Sequence, residues 1–215
     1  MNQTITYTNP HSSFKLEGVF YDKTGLSYLA ERLISEGESY QVSLGHFILQ
    51  WIDLSPEINL QTSGSTGTPK TILMSKQAMV NSAIATGNHF KLKPGDSALS
   101  CLPFEYIAAK MMFVRAYVLG LEMDCVNPSS NPLKALKRSY DFCAMVPLQL
   151  ENSIEYLHHI KTIIVGGAKK HFLKNNAQWQ ARKSRNYGLF EFWASKIMKY
   201  RFSYTKMKQT NPSKM

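Results

Sequence analysis

Apolar positions along the chain recur at two spacings, and the switching between them outlines its elements. Near the N-terminus, residues 25–36 and 40–53 show helical spacing. In the second stretch Leu44, Phe47, Ile48 and Trp51 fall on one face, which predicts a helix packed on a core. Extended segments follow at 57–61 and 71–74, separated by a Gly/Ser/Thr-rich stretch that runs through Pro69. Ser75 is placed to cap the next helix, whose Ala78, Met79, Ala83 and Ile84 predict a core stripe that Gly87 weakens. Beyond the Pro94-Gly95-Asp96 turn, 98–102 reads as a buried strand ended by Pro103, and 105–119 as a helix with Gly120 just past its C-terminus. Strands at 123–126, 142–146 and 162–165, a turn at 128–132 and a helix at 149–158 complete the pattern.

Strands separated by helices of about ten or more residues require crossover connections, so the expected class is α/β: a mostly parallel sheet flanked by helices. With 215 residues there is ample chain for a buried core, and 44% hydrophobic with 19% charged residues excludes a disordered or collagen-like chain. Cys101, Cys125 and Cys143 are odd in number, far apart, and set in apolar strand-like surroundings, which fits thiols used as small core side chains in a reducing cytoplasm. No His-x-x-x-His or Cys-x-x-Cys spacing occurs, and His158 and His159 would point apart from a helix, so no protein-bound metal is expected. The first residues carry no basic segment followed by an apolar run, which predicts no secretory signal. The longest apolar stretch, 106–121, is interrupted by Lys110 and Arg115 and is short for a bilayer, so no membrane partner is expected.

Charge changes the picture by dividing the chain. Residues 1–168 hold 13 Lys+Arg against 14 Asp+Glu, a balance of −1, whereas 169–215 hold 12 against the single Glu191. The net charge of +10 therefore belongs to the last segment, and two regions are expected: a domain over 1–168 and a basic tail over 169–215.

The richest segment for chemistry is Thr62-Ser63-Gly64-Ser65-Thr66-Gly67-Thr68-Pro69-Lys70, between two strand-like runs. Hydroxyl donors, two glycines that let backbone approach a ligand, and one cation are the set that a polyphosphate needs. Neither the Gly-Lys-Ser/Thr of the common P-loop nor Gly-x-Gly-x-x-Gly is present. Ser, Thr, Gly and Pro also make ordinary turns, so a surface hairpin loop fits the same composition.

These nine residues, TSGSTGTPK, resemble without departure the phosphate-binding signature of the acyl-adenylate-forming (AMP-binding) superfamily. Leu102-Pro103-Phe104-Glu105-Tyr106-Ile107-Ala108-Ala109-Lys110-Met111-Met112 and Val165-Gly166-Gly167-Ala168 follow in the order that family uses. The runs NPSSNPLKAL at 127–136 and FCAMVPLQLENS at 142–153 are most similar to its branch of o-succinylbenzoate–CoA ligases of menaquinone biosynthesis. The likeness covers about residues 10–168 and implies the N-terminal part of the large domain of an adenylate-forming enzyme. It implies an ATP-dependent acid–CoA ligase: a carboxylate attacks the α-phosphorus of ATP, pyrophosphate leaves, and the thiol of coenzyme A displaces AMP, with Mg²⁺ held largely by the nucleotide. By the same resemblance Thr62, Ser63, Gly64, Ser65, Thr66, Gly67, Thr68 and Lys70 would hold the phosphates, and Gly166, Gly167 and Ala168 would lie beside adenine and acyl group.

Tyr106 and Arg115 are the expected contacts to the carboxylic acid, o-succinylbenzoate in that branch. Tyr106, Met111, Met112 and Val114 also suit the core stripe of an amphipathic helix, the reading preferred for the methionines. Arg115 could grip a second carboxylate bidentately, although the sequence favours an exposed helix charge.

After Ala168 the likeness fades. The family's Tyr-Gly-x-Thr-Glu pattern has only a weak counterpart in Tyr187-Gly188-Leu189-Phe190-Glu191, where Phe190 replaces the threonine. The tail, without Asp and without clean periodicity, suits an out-of-frame or truncated chain, a basic extension, or a divergent second half of the domain. Impaired activity is the expectation for the first case. A nonenzymatic protein that contacts nucleic acid through Lys, Arg and aromatic residues of the tail is the alternative from another functional class, with nucleic acid the less expected partner.

Overall fold

The expected alternation of strand and helix is present in the computed structural model, which describes residues 6–62, 70–166 and 188–191; for 61, 62, 70 and 188–191 only the backbone is described. A short strand β1 (Lys15–Leu16) precedes helices α1 (Lys23–Glu36) and α2 (Ser39–Ile52). A hairpin of β2 (Glu57–Thr62) and β3 (Lys70–Ser75) leads into α3 (Lys76–Phe90). Then come β4 (Ser97–Ser100), α4 (Ile107–Leu119), β5 (Glu122–Cys125), β6 (Tyr140–Met145), α5 (Pro147–Asn152), a 3₁₀ turn (Ile154–His159), β7 (Ile160–Val165) and β8 (Gly188–Glu191). The main sheet runs β1-β5-β4-β6-β7-β8 with every neighbouring pair parallel, while β2 and β3 form a separate antiparallel ribbon. The α/β class and its largely parallel sheet are thus as the sequence predicts.

Both faces of this sheet are covered, which is why its strands read as continuous apolar runs. Side chains alternate across the pleat. Ala98, Phe142, Ala144 and Ile164 bury beneath the helices α1 to α4, whereas Leu99, Cys143, Ile163 and Val165 bury beneath Leu133, Leu150 and Leu157. Phe47 of α2 meets Phe113 of α4 edge-on at 5.6 Å, and Trp51 meets Tyr117 at 6.0 Å, so the aromatic stripes of these helices interlock. Sequence sets the helix ends: Asp22 Oδ1 accepts from Gly25 N at 2.7 Å, and Ser75 Oγ from Ala78 N at 3.3 Å. Helix α4 stops at Gly120, whose φ of 75° favours glycine and whose Cβ, if present, would lie 2.3 Å from His11 Nδ1.

Several expectations are corrected. The helix expected over 149–158 breaks at Ser153, whose hydroxyl donates to Asn131 Oδ1 at 3.1 Å and which leaves helical dihedrals, so a 3₁₀ turn follows. In that turn the ring centroids of His158 and His159 lie 4.2 Å apart, the rings tilted by 38°, rather than pointing apart. The strand expected to reach residue 102 ends at Ser100, because the Cys101 carbonyl is taken by a side-chain amide. The stripe of α3 is rotated: Met79, Val80, Ala83, Thr86 and Gly87 are buried, and Gly87 makes room for Leu119, which a Cβ would meet at 2.8 Å. Strand β7 is paired in parallel with β8. Arg115, favoured as an exposed charge, is 6% exposed, because α4 is apolar all round and covered on every side. The rest of the tail, and Tyr187 with it, lies outside the described residues. Among those described, no helix is long and apolar enough to cross a membrane.

Candidate functional site

The hairpin supplies the first part of the site. Along β2, Ile58 and Leu60 are buried while Glu57 and Asn59 are exposed, the period-2 pattern of a ribbon with one face on the core. Pairing runs without slip from Glu57 opposite Ser75 to Thr62 opposite Lys70. Thr62 and Lys70 therefore meet as the last cross-strand pair, and residues 63–69 bridge them. Of the residues expected to hold phosphate, Ser63, Gly64, Ser65, Thr66, Gly67 and Thr68 lie outside the described residues. The base of the hairpin is fixed by a buried ammonium: Lys76 Nζ donates to Asp53 Oδ1 at 2.6 Å and to the Asp53 carbonyl at 3.1 Å, while Lys76 N bonds the Pro56 carbonyl at 2.8 Å. Removing that carboxylate would leave a fully buried charge unpaired.

Topology supplies the second part. From β4 the chain leaves through α4 to β5 on one side; from β6 it leaves through α5 and the 3₁₀ turn to β7 on the other. These connections cover opposite faces of the sheet. Where successive connections diverge in a parallel sheet, a crevice opens at the carboxyl ends of the strands, and ligands of such sheets gather there. Here that point lies between β4 and β6. Around it stand Tyr106, the N-cap of α4 and 50% exposed, and Gly166, which follows β7 and bonds the Met145 carbonyl through its N–H at 3.1 Å. Gly166 does not adopt a left-handed backbone, and a Cβ on it would meet no described residue within 4 Å. Gly167 and Ala168 are outside the described residues.

Arg115 is not at this rim. It lies nine residues beyond Tyr106, about 13 Å further along the helix axis and about half a turn around it, so the two do not share a face. Its guanidinium sits over the Phe142 ring at 5.9 Å and Nη1 donates to Met112 Sδ at 3.7 Å, while Nε has no hydrogen-bond partner among the described residues. Burial pushes its pKa down to about 10, and no carboxylate of the described residues forms an ion pair with it. Lys110, on the opposite side of α4 over Phe47, is likewise lowered by burial, with Glu105 raising it in part.

Cys101 and Cys143 bring their Sγ atoms to 3.7 Å beneath the rim. The hydrogen bond from Cys101 and burial hold the Cys143 thiol well above its ordinary pKa, so it stays protonated and is a poor nucleophile. Among the described residues no three His, Cys, Asp or Glu side chains converge to hold a metal ion. Sequence reasoning passed over one residue that the geometry makes prominent. Gln149, 5% exposed, bonds loops on both sides of the crevice. Its place two residues after Pro147, as N3 of a helix starting at that proline, is the signal that identifies it.

The family described as AMP-binding enzyme matches residues 59–169, a span that includes the hairpin and every strand from β4 to β7. No curated protein matches. Among solved structures, an acyl-CoA synthetase (AMP-forming)/AMP-acid ligase II-like protein from Dyadobacter fermentans is 31% identical with a TM-score of 0.67, covering 78% of this chain and 49% of its own. The chain thus spans about half the length of that relative. O-succinylbenzoate coenzyme A synthetase from Bacillus subtilis, in complex with AMP, is 19% identical with a TM-score of 0.53 over 63% of this chain and 36% of that one. The N-terminal subdomain of NpsA from Klebsiella oxytoca, in complex with anthranilyl-AMSN, is 21% identical with a TM-score of 0.50 over 62% and 36%. At such identities the last two speak for the fold alone.

Proposed function

The chain belongs to the AMP-binding enzymes, and from that membership we propose that it serves an ATP-dependent acid–CoA ligase that forms an acyl adenylate and then a thioester. The observation that carries this reading is the hairpin: its last cross-strand pair, Thr62 and Lys70, brackets the hydroxyl- and glycine-rich residues 63–69. In the first step an oxygen of the carboxylate bonds the α-phosphorus as the bond to pyrophosphate breaks. In the second, the sulfur of coenzyme A bonds the acyl carbon and AMP departs. The protein's part in the first step is to orient the triphosphate and balance its charge, the task of the loop hydroxyls, backbone N–H groups and Lys70. Mg²⁺, held largely by the phosphates, would neutralise charge there.

The acid would enter over the crevice between β4 and β6, with Gly166 to Ala168 beside its adenylate. O-succinylbenzoate is the acid we propose, in menaquinone biosynthesis, on the likeness of residues 127–136 and 142–153 to that branch; Arg115, buried away from the rim, is not placed to hold it. A domain over 1–168 would carry these parts. Low turnover is expected of the 215-residue chain on the reading of residues 169–215 as out of frame. The test is ATP–pyrophosphate exchange with and without o-succinylbenzoate, alongside ATP binding by calorimetry. Saturable ATP binding and slow, acid-dependent exchange support the proposal; ATP binding without any exchange, for this acid or other aryl acids, removes the ligase reading.

A further inference from the structure

Three loops at the crevice converge on one side chain. Gln149 Nε2 donates to the Cys101 carbonyl at 2.8 Å, on the segment leaving β4, and to the Ser129 carbonyl at 3.0 Å, between β5 and β6. Gln149 Oε1 accepts from Val146 N at 3.3 Å, on the turn leaving β6. A primary amide has two N–H donors, and both are used, with the oxygen engaged as well. Because the group is buried, breaking any of these bonds strands a polar atom away from water, so the amide holds its partners at fixed spacing. One turn on, the buried Ser153 hydroxyl bonds Asn131 at 3.1 Å and ties α5 to the same loop a second time.

Two of the segments so held, those after β4 and β6, carry large side chains left in water: Tyr106 at 50%, Val146 at 38% and Leu148 at 59% exposure. They stand at the carboxyl ends of β4 and β6, on either side of the point where the connections diverge. We infer that Gln149 is a positioning residue for the acid-binding part of the site. It sets the spacing between the segment leaving β4 and the turn leaving β6, and thereby the apolar lip of Tyr106, Val146 and Leu148 that takes the hydrocarbon or aryl body of the carboxylic acid. This rests on the acid-activating reading above. Gln149 itself touches neither acid nor nucleotide; it acts through backbone groups.

The test compares the full chain with Gln149→Met, which keeps length and loses the amide, and with Gln149→Glu, which keeps the acceptor for Val146 N and loses both donors. Leu150→Ala, in the same helix, controls for loss of stability alone. Backbone amide exchange of residues 101–106 and 127–132 is followed with the affinities for ATP and o-succinylbenzoate. Gln149→Met should speed exchange in both segments while leaving 57–60 unchanged, and weaken o-succinylbenzoate about tenfold with ATP affinity held within about twofold. Leu150→Ala should lower the melting temperature without that split, and Gln149→Glu should reproduce the split if the Met variant fails to fold. Unchanged exchange and acid affinity in a folded variant overturn the inference, as does equal loss of acid and ATP affinity. If the unsubstituted chain takes up ATP but not the acid, the proposed substrate falls and amide exchange alone decides the clamp.

Discussion

At the amino edge of the sheet Lys15 reaches Glu122 at 2.6 Å, and Asp141 accepts from Ser97 N at 3.0 Å and Ser97 Oγ at 2.9 Å, with Lys161 Nζ 3.4 Å away. At the carboxyl edge, between β4 and β6, three segments hang on the Gln149 amide, Tyr106, Val146 and Leu148 face water, and no described residue lies within 4 Å of a Cβ placed on Gly166. The first edge spends its polar groups on joining β1 to β5 and β4 to β6 and β7. The second leaves surface uncovered that folding alone gives no reason to expose. A sheet that needed only stability would close both edges alike, so the difference marks the carboxyl edge as the one kept for a ligand.

Arg115 sharpens that contrast most. Its guanidinium is buried without a carboxylate, so Arg115→Met should raise stability by about 1–4 kcal/mol, seen as a higher melting temperature, while leaving o-succinylbenzoate binding unchanged. Loss of acid binding in a folded variant would instead place Arg115 at the site. At the opposite edge, Asp141→Ala should cost about 1–3 kcal/mol in denaturant unfolding, because it strands Ser97 N and Oγ, and should leave ATP affinity untouched.

The same carboxylate predicts a pH dependence. Burial pushes the pKa of Asp141 up, but hydrogen bonds from Ser97 and the nearby Lys161 outweigh it, and the net shift is downward from 3.8. A depressed carboxyl contributes stability that is fully present above its unfolded pKa and is lost as pH falls through the folded one. The gap in stability between the natural chain and Asp141→Asn should therefore be constant near neutrality and shrink only below about pH 4. The smallest effect is expected at Gly166→Ala. Its stability should change by less than about 0.5 kcal/mol, since the added methyl meets no described residue within 4 Å, yet acid-dependent exchange should fall if the adenylate lies beside it.

Much of this was legible in the sequence. Leu99, Phe142, Cys143 and Ile163 betray buried parallel strands, because a sheet covered on both faces leaves no polar alternation. Ser75 and Gly120 mark helix ends through chemistry that is local. What stayed hidden was non-local. Strand β1 has only two residues and exists through its pairing with β5, and β8 through its pairing with β7. Helical spacing at 149–158 is real, but it is overruled at Ser153 by a bond to Asn131, 22 positions away. Arg115 is charged yet buried because α4 is surrounded, which no single helix reveals. For the site, the loop signature announces itself, whereas Gln149 becomes meaningful only when three distant carbonyl and amide groups meet around it.

The most direct measurement is an ATP titration of the 215-residue chain beside Lys70→Ala and a Ser63→Ala/Ser65→Ala variant, each checked for an unchanged melting temperature. The account predicts saturable binding by the natural chain and a loss of at least about tenfold in each variant, the loss of charge-assisted or hydroxyl hydrogen bonds to phosphate. Absence of saturable binding, or affinity undiminished by both substitutions, would contradict it.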